Sequence, residues 1–290
     1  MTPDNHRSSA ASLPAVLLAA RFLFPFDERR HAGDPHWRAA GRWLVAWGLL
    51  IGGLYALVFR VAWRWFGEYQ GIRWLPVAAV LTVDLGCCGY RLLAGSAGIA
   101  SACRPNAVGS SPPPGLPTLL AIVLVAITKY AMLLSLPLGV WRSSPAGVWV
   151  WEHSLARLGL LYPQAIYRPL ILMPLWGRWA MTLAVTIGRV APGGSNRLRA
   201  MARGTHLAVV VIYWLFCAAV TTMYCTPSGE HLARGVVIAL AVMVVSYLSS
   251  FVLARRTGGQ TEATVGTTAL AAELAFLGLY LPVVSDIYWY

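Results

Sequence analysis

The chain is short of acid and almost without lysine. Its 290 residues hold eleven aspartates and glutamates, and of the 23 basic residues only Lys129 is a lysine, the rest being arginine. Charged residues make up 12%, against roughly 25% in an average soluble domain, while 58% are hydrophobic and the mean hydropathy is +0.61. These proportions exclude a soluble globular fold. A single core has too little interior for that much apolar surface, whereas a bilayer with about 30 Å of hydrocarbon accepts it in spans of roughly 20 residues. Also missing are a C-x-x-C pair, any zinc-ligand spacing and an H-E-x-x-H helix, so the five cysteines supply no redox or metal framework. Cys87, Cys88 and Cys217 fall in apolar runs and read as buried thiols; Cys103 and Cys225 lie near span ends. His31 and His36, beside Asp27, Glu28 and Asp34, match no ligand spacing and read as a solvated loop, as does the isolated Glu152-His153. No internal repeat stands out, which weighs against the inverted-repeat transporters. Nor does the length leave room for a separate water-soluble catalytic domain beside six or seven spans. Any chemistry must sit on span ends, in short loops or inside the bundle.

What is present is arginine between long apolar runs. The net charge of +12 and the pI of about 10.0 would suggest nucleic acid in a soluble protein. Here topology accounts for them, because cytoplasmic loops of membrane proteins collect positive charge. Spans are expected at 43–59, 74–94, 116–139, 166–190, 206–225, 235–254 and 265–284. The predicted fold is therefore an all-α, polytopic integral membrane bundle of about seven transmembrane helices. Residues 1–42 form a polar or interfacial N-terminal segment and 43–290 a single membrane-embedded domain. Within the first segment, 13–26 reads as an interfacial or half-inserted helix rather than a signal peptide, since Arg21 and Pro25 break it. The stretch 148–162 carries Glu152, His153 and Arg157 and reads as re-entrant or interfacial. With the N-terminus cytoplasmic, the inside holds Arg29, Arg30, Arg38, Arg42, Arg104, Arg189, Arg197, Arg199, Arg203, Arg255 and Arg256. The outside holds Arg60, Arg64, Arg73, Arg142, Arg157, Arg168 and Arg234. This excess favours that orientation.

Ionisable groups in hydrocarbon need partners or an aqueous cavity. Asp84, Arg91, Lys129, Arg178 and Glu273 fall inside or close to spans. They lead to either a polar cavity shared by several helices or two buried ion pairs that fix helix order. The tract ARRTGGQTEAT at 254–264 sets Arg255 and Arg256 before Gly258 and Gly259, as a phosphate cradle or as a positive turn between helices. Gly48-x-x-x-Gly52 permits close helix packing.

The run Arg255-Arg256-Thr257-Gly258-Gly259-Gln260-Thr261, with Gly266 and Ala271-Ala272-Glu273-Leu274-Ala275, resembles the R-x-G-G-x-T-G-D…E-L-A-E-L signature of cobalamin 5′-phosphate synthases, the adenosylcobinamide-GDP ribazoletransferases. Leu172 to Met181, LMPLWGRWAM, is similar to that family's A-P-x-L-G-R-W-A-M span, and Lys129 sits in a helix resembling its L-L-L-K helix. Residues 19–26 and 47–57 resemble its opening segments, so the likeness runs in order over about 13–284. It implies a multi-pass inner-membrane enzyme that joins corrinoid nucleotide to α-ribazole or its 5′-phosphate. GMP would be released with magnesium as cofactor, with other cobalamin-biosynthesis enzymes as possible partners besides membrane lipid, and with no nucleic acid bound. By the same resemblance Arg178, Arg255, Arg256, Gly258, Gly259 and Thr261 are the substrate-binding residues. The chain departs from the family in its acids. Cys88, Leu92 and Gly95 stand where three aspartates of the family's H-L-D-G-L-A-D-T-A-D-G belong, and Glu262-Ala263 replaces the Gly-Asp of T-G-D. Three readings follow. In an active transferase Asp84, Glu262 and Glu273 supply both the catalytic carboxylates and a relocated magnesium site. An impaired relative keeps the fold and a corrinoid-binding or scaffolding role. A small permease lines its pathway with the buried charges.

Overall fold

The computed structural model describes residues 14–24, 36–67, 72–86, 116–136, 166–192, 194–225 and 232–288. The expected re-entrant segment 148–162, together with Arg91 and the end of the run 74–94, lies outside them. Among the described residues there is no strand, and the single extended pairing is an isolated parallel bridge between Val190 and Gln260. The described part of each of the seven expected apolar runs is mainly helical. Among the described residues four helices are long and apolar enough to cross a membrane, or five if one bent pair counts as a single span.

Helix α1 (Ala15–Leu23) covers nine residues, about 13 Å, too little to cross a bilayer. Its apolar face, with Leu18, Phe22 and Leu23, is buried against the bundle. It is tied down by the Trp47 indole, which donates to the Val16 carbonyl at 2.9 Å and meets Phe24 edge-on. A short helix α2 (Trp37–Ala40) runs through a 3-10 turn into α3 (Leu44–Ala62), forming one helical stretch from Trp37 to Phe66. The boundary expected at 42/43 thus falls inside one helical stretch, in which Trp37, Ala40 and Gly41 pack inward while Arg38 and Arg42 stay exposed. Two helices with shorter described apolar lengths follow, α4 (Trp74–Gly86) and α5 (Leu116–Leu134).

Helix α6 (Tyr167–Ile187) is the axis of the molecule, with nearly every side chain from Tyr167 to Val185 buried. Pro174 stands in its middle and cannot supply an N–H to the preceding turn. Helix α3 closes on that point. A Cβ on Gly48 would lie 2.9 Å from the Pro174 carbonyl oxygen, and one on Gly52 would lie 2.6 Å from that of Ile171, so the glycine pair is what lets the two backbones meet. Rising numbers on α3 meet falling numbers on α6, so the two run antiparallel.

After α6 the chain forms a short arginine-bearing helix, α7 (Asn196–Gly204), then turns by about 80° into α8 (Leu207–Cys225). Helices α9 (Leu232–Thr257) and α10 (Glu262–Tyr288) complete the bundle. Trp176 and Trp179 of α6 donate to Thr221 Oγ1 and the Val210 carbonyl of α8 at 2.9 and 3.0 Å, satisfying both indoles inside the protein. Buried hydroxyls of Thr182, Ser246 and Thr268 donate to carbonyls four residues back in their own helices, so small polar residues are tolerated inside.

The distribution of polarity is inverted relative to a soluble protein. Large apolar side chains stand exposed along α3 (Leu50, Leu57), α5 (Leu120, Leu124), α8 (Ile212, Leu215) and α9 (Val237, Leu248), while four charged residues are buried at the centre. Arginines gather at one end. Arg38 and Arg42, Arg189, Arg197, Arg199 and Arg203, and Arg255 and Arg256 all lie there, held together by Arg42 on the Gly204 carbonyl and by the Val190–Gln260 bridge. The opposite ends carry Arg60, Arg64, Arg73, Arg168 and Arg234.

Candidate functional site

Five helices deliver one polar side chain each to the middle of the bundle. Lys129 of α5 places its Nζ 2.7 Å from Asp84 Oδ2 of α4 and 2.6 Å from Glu273 Oε2 of α10. The other oxygen of Glu273 takes Arg178 Nη1 of α6 at 2.9 Å, and the other oxygen of Asp84 accepts from the Tyr55 hydroxyl of α3 at 2.5 Å. Lys129, Asp84 and Glu273 are 1 to 3% exposed. The result is a single connected chain, Tyr55–Asp84–Lys129–Glu273–Arg178, rather than two separate pairs. Two cations face two anions, so its formal charge is zero, which is the condition under which buried ions persist in a low-dielectric interior.

Missing Cβ atoms make room for it. A Cβ on Gly177 would collide with Glu273 Oε1, and one on Gly48 would press on the Arg178 side chain at 3.0 Å. Gly48, Gly52 and Tyr55 share one face of α3 by their four- and three-residue spacing, so the helix that approaches α6 most closely also brings the phenol to Asp84.

The glycine-bearing tract lies elsewhere, at the arginine-rich end. Gly258 and Gly259 take φ values of +71° and +144°, which favour glycine. Their turn is occupied by the protein itself. The Gly259 N–H donates to the Ala254 carbonyl, the Gln260 N–H to Arg189, and the Ala191 N–H to Gln260. The Gln260 side chain donates to Ser250 Oγ at 2.7 Å and accepts from Thr264 Oγ1 at 2.7 Å. Thr261 and Thr264 exchange backbone N–H to hydroxyl bonds, a reciprocal cap on α10. Glu262 accepts from the Ser195 hydroxyl at 2.6 Å, and that hydroxyl also caps α7 through the Leu198 N–H. Arg255 and Arg256 stand exposed beside the turn.

The expected site residues therefore divide. Asp84, Arg178 and Glu273 come together, joined by Lys129. Glu262, Arg255, Arg256, Gly258, Gly259 and Thr261 sit at the arginine-rich end, and Glu262 lies eleven residues from Glu273 on the same helix, about 16 Å along its axis. Magnesium requires oxygen ligands at about 2.0–2.1 Å. Asp84, Glu262 and Glu273 do not offer them around one point, and the Lys129 ammonium already lies between the two that meet. Among the described residues no three of His, Cys, Asp and Glu gather as a metal site. Among the described residues, Asp84, Glu262 and Glu273 do not fit a resident magnesium ion.

Tyr55, Gly177 and Gln260 were not singled out by the sequence. Tyr55 had a usable signal, a phenol on the small-residue face set by Gly48 and Gly52. Gly177 had only its place in the LMPLWGRWAM stretch, since its role rests on Glu273 far along the chain, and Gln260 had none. Compared with family models, curated proteins and solved structures, the chain matches none.

Proposed function

We propose that the chain is a seven-span inner-membrane protein built on the plan of the cobalamin 5′-phosphate synthases, with its N-terminus cytoplasmic. In this reading it binds a corrinoid nucleotide without turning it over in a magnesium-dependent reaction. One observation carries this: Lys129 lies between Asp84 and Glu273. It supports the family plan because residues from separate stretches that resemble the family, Lys129, Arg178 and Glu273, meet at one place. It also argues against turnover. Phosphoryl transfer depends on positioning and charge neutralisation, and the carboxylates that would hold a metal are already neutralised by a lysine. Arg255 and Arg256, exposed at the cytoplasmic end, are the groups suited to the ligand's phosphates.

The test is an assay of the purified protein with adenosylcobinamide-GDP, α-ribazole and magnesium. The expected outcome is saturable binding of the corrinoid nucleotide, weakened at least tenfold in Arg255→Gln/Arg256→Gln, with no GMP release. GMP release that disappears in both Glu273→Ala and Arg178→Ala would establish the active transferase instead. Uptake of the corrinoid by reconstituted vesicles, without GMP, would establish a permease.

A further inference from the structure

Between α6, α8 and α9 lies an open groove of about 320 Å³ whose walls are apolar, among them Trp179, Leu183, Val211, Trp214, Val244 and Leu248. We propose that this groove holds an acyl chain of an anionic phospholipid from the leaflet at the arginine-rich end, with the lipid phosphate meeting the basic side chains above it. The inference rests on the groove and on the basic side chains at its mouth; it shares Arg255 and Arg256 with the proposed nucleotide site but needs no corrinoid chemistry.

Three observations support it. The indole N–H groups that border the groove are turned away into the protein. Trp179 donates to the Val210 carbonyl at 3.0 Å and Trp214 to the Ala239 carbonyl at 3.4 Å, so both rings offer hydrocarbon to an occupant. The mouth is basic. The groove begins at Leu207, the first residue of α8, directly after exposed His206 and four residues beyond the exposed Arg203 of α7. On the other wall, Leu248 lies seven residues, about 10 Å, before the exposed Arg255 and Arg256. Finally, the 80° bend between α7 and α8 sets the arginine-bearing helix across the direction of the groove, the orientation of an interfacial helix beside a headgroup layer. An apolar slot leading to arginines matches a lipid that is hydrocarbon below and phosphate above, and basic clusters next to membrane helices attract anionic headgroups.

Native mass spectrometry of the full chain, from micelles containing equal phosphatidylglycerol and phosphatidylcholine, tests the proposal. One phosphatidylglycerol retained per chain is expected, in at least tenfold preference to phosphatidylcholine. Val211→Trp and Leu248→Trp, both at exposed positions, are expected to lose that retention by filling the groove. Arg203→Gln/Arg255→Gln/Arg256→Gln is expected to lose the preference for the anionic lipid. A second measurement is quenching of tryptophan emission by dibrominated phosphatidylglycerol, with the Trp214 share taken as the difference from Trp214→Phe. That share is expected to be quenched at lower mole fraction than by dibrominated phosphatidylcholine. Retention unchanged in the filled variants, equal retention of both lipids, or loss of a dimer in place of a lipid on filling each overturns the proposal.

Discussion

Lys129 is the residue on which the interior depends, since its ammonium touches both buried carboxylates, as no other side chain does among the described residues. Removing one member of a buried ion pair leaves an uncompensated charge, at a cost of about 3–5 kcal/mol. Lys129→Met leaves Glu273 with Arg178 but strands Asp84, whose remaining partner is the Tyr55 hydroxyl. A destabilisation in that range is expected, read as a lowered midpoint of thermal unfolding in detergent. Adding Asp84→Asn removes the stranded charge and leaves one neutral pair, Arg178 with Glu273, plus an amide within reach of Tyr55. The double variant is therefore expected to recover more than half of the loss, the signature of coupled neighbours. If it unfolds no later than Lys129→Met alone, the network is not held together by charge balance.

At the scale of elements, the turn from α9 into α10 shows how glycines suited to a phosphate cradle serve the protein's own backbone instead. Gly258 and Gly259 differ in a way their shared identity hides. A Cβ on Gly258 meets nothing within 4 Å, so Gly258→Ala carries only the left-handed backbone penalty of about 1–2 kcal/mol. A Cβ on Gly259 would lie 2.6 Å from the Ala191 nitrogen and 2.7 Å from the Arg189 oxygen, the two backbone groups that bridge to Gln260. Gly259→Ala is expected to lower the unfolding midpoint clearly more than Gly258→Ala and to open the turn to limited proteolysis. Equal effects would show that the Val190–Gln260 bridge does not anchor the turn. The same region marks the limit of legibility at this scale. Apolar run length was enough to find α3, α6, α8, α9 and α10, because a helix suited to crossing about 30 Å of hydrocarbon needs roughly 20 residues. Helix α7 is hidden from a reading by apolar run length, since its Arg197, Arg199 and Arg203 mask an inward stripe of only Leu198, Met201 and Gly204.

For the whole molecule, composition disclosed the surroundings and left the partnerships hidden. Asp84, Lys129, Arg178 and Glu273 were legible as costly residues from their place in apolar runs. Their pairing was not, because the contacts join positions 45, 144 and 95 residues apart and depend on which helix faces which. The asymmetry of arginine, in contrast, survives folding: described residues near the ends of the spans contribute Arg38, Arg42, Arg189, Arg197, Arg199, Arg203, Arg255 and Arg256 to one end and Arg60, Arg64, Arg73, Arg168 and Arg234 to the other. Positive charge resists translocation, so the first group is expected in the cytoplasm and the second across the membrane. This orients the proposed lipid groove toward the cytoplasmic leaflet and the exposed Arg255-Arg256 pair toward cytoplasmic nucleotides. The expectation can be checked in a variant with its five native cysteines replaced, carrying one new cysteine at His206 or at Trp65, both exposed. An impermeant maleimide applied to intact cells is expected to label Trp65→Cys, and to label His206→Cys only after the inner membrane is opened. The reverse pattern would invert the bundle and place the arginine-rich end outside. Labelling of both positions from the same side would remove the odd number of crossings between them and with it the seven-span arrangement.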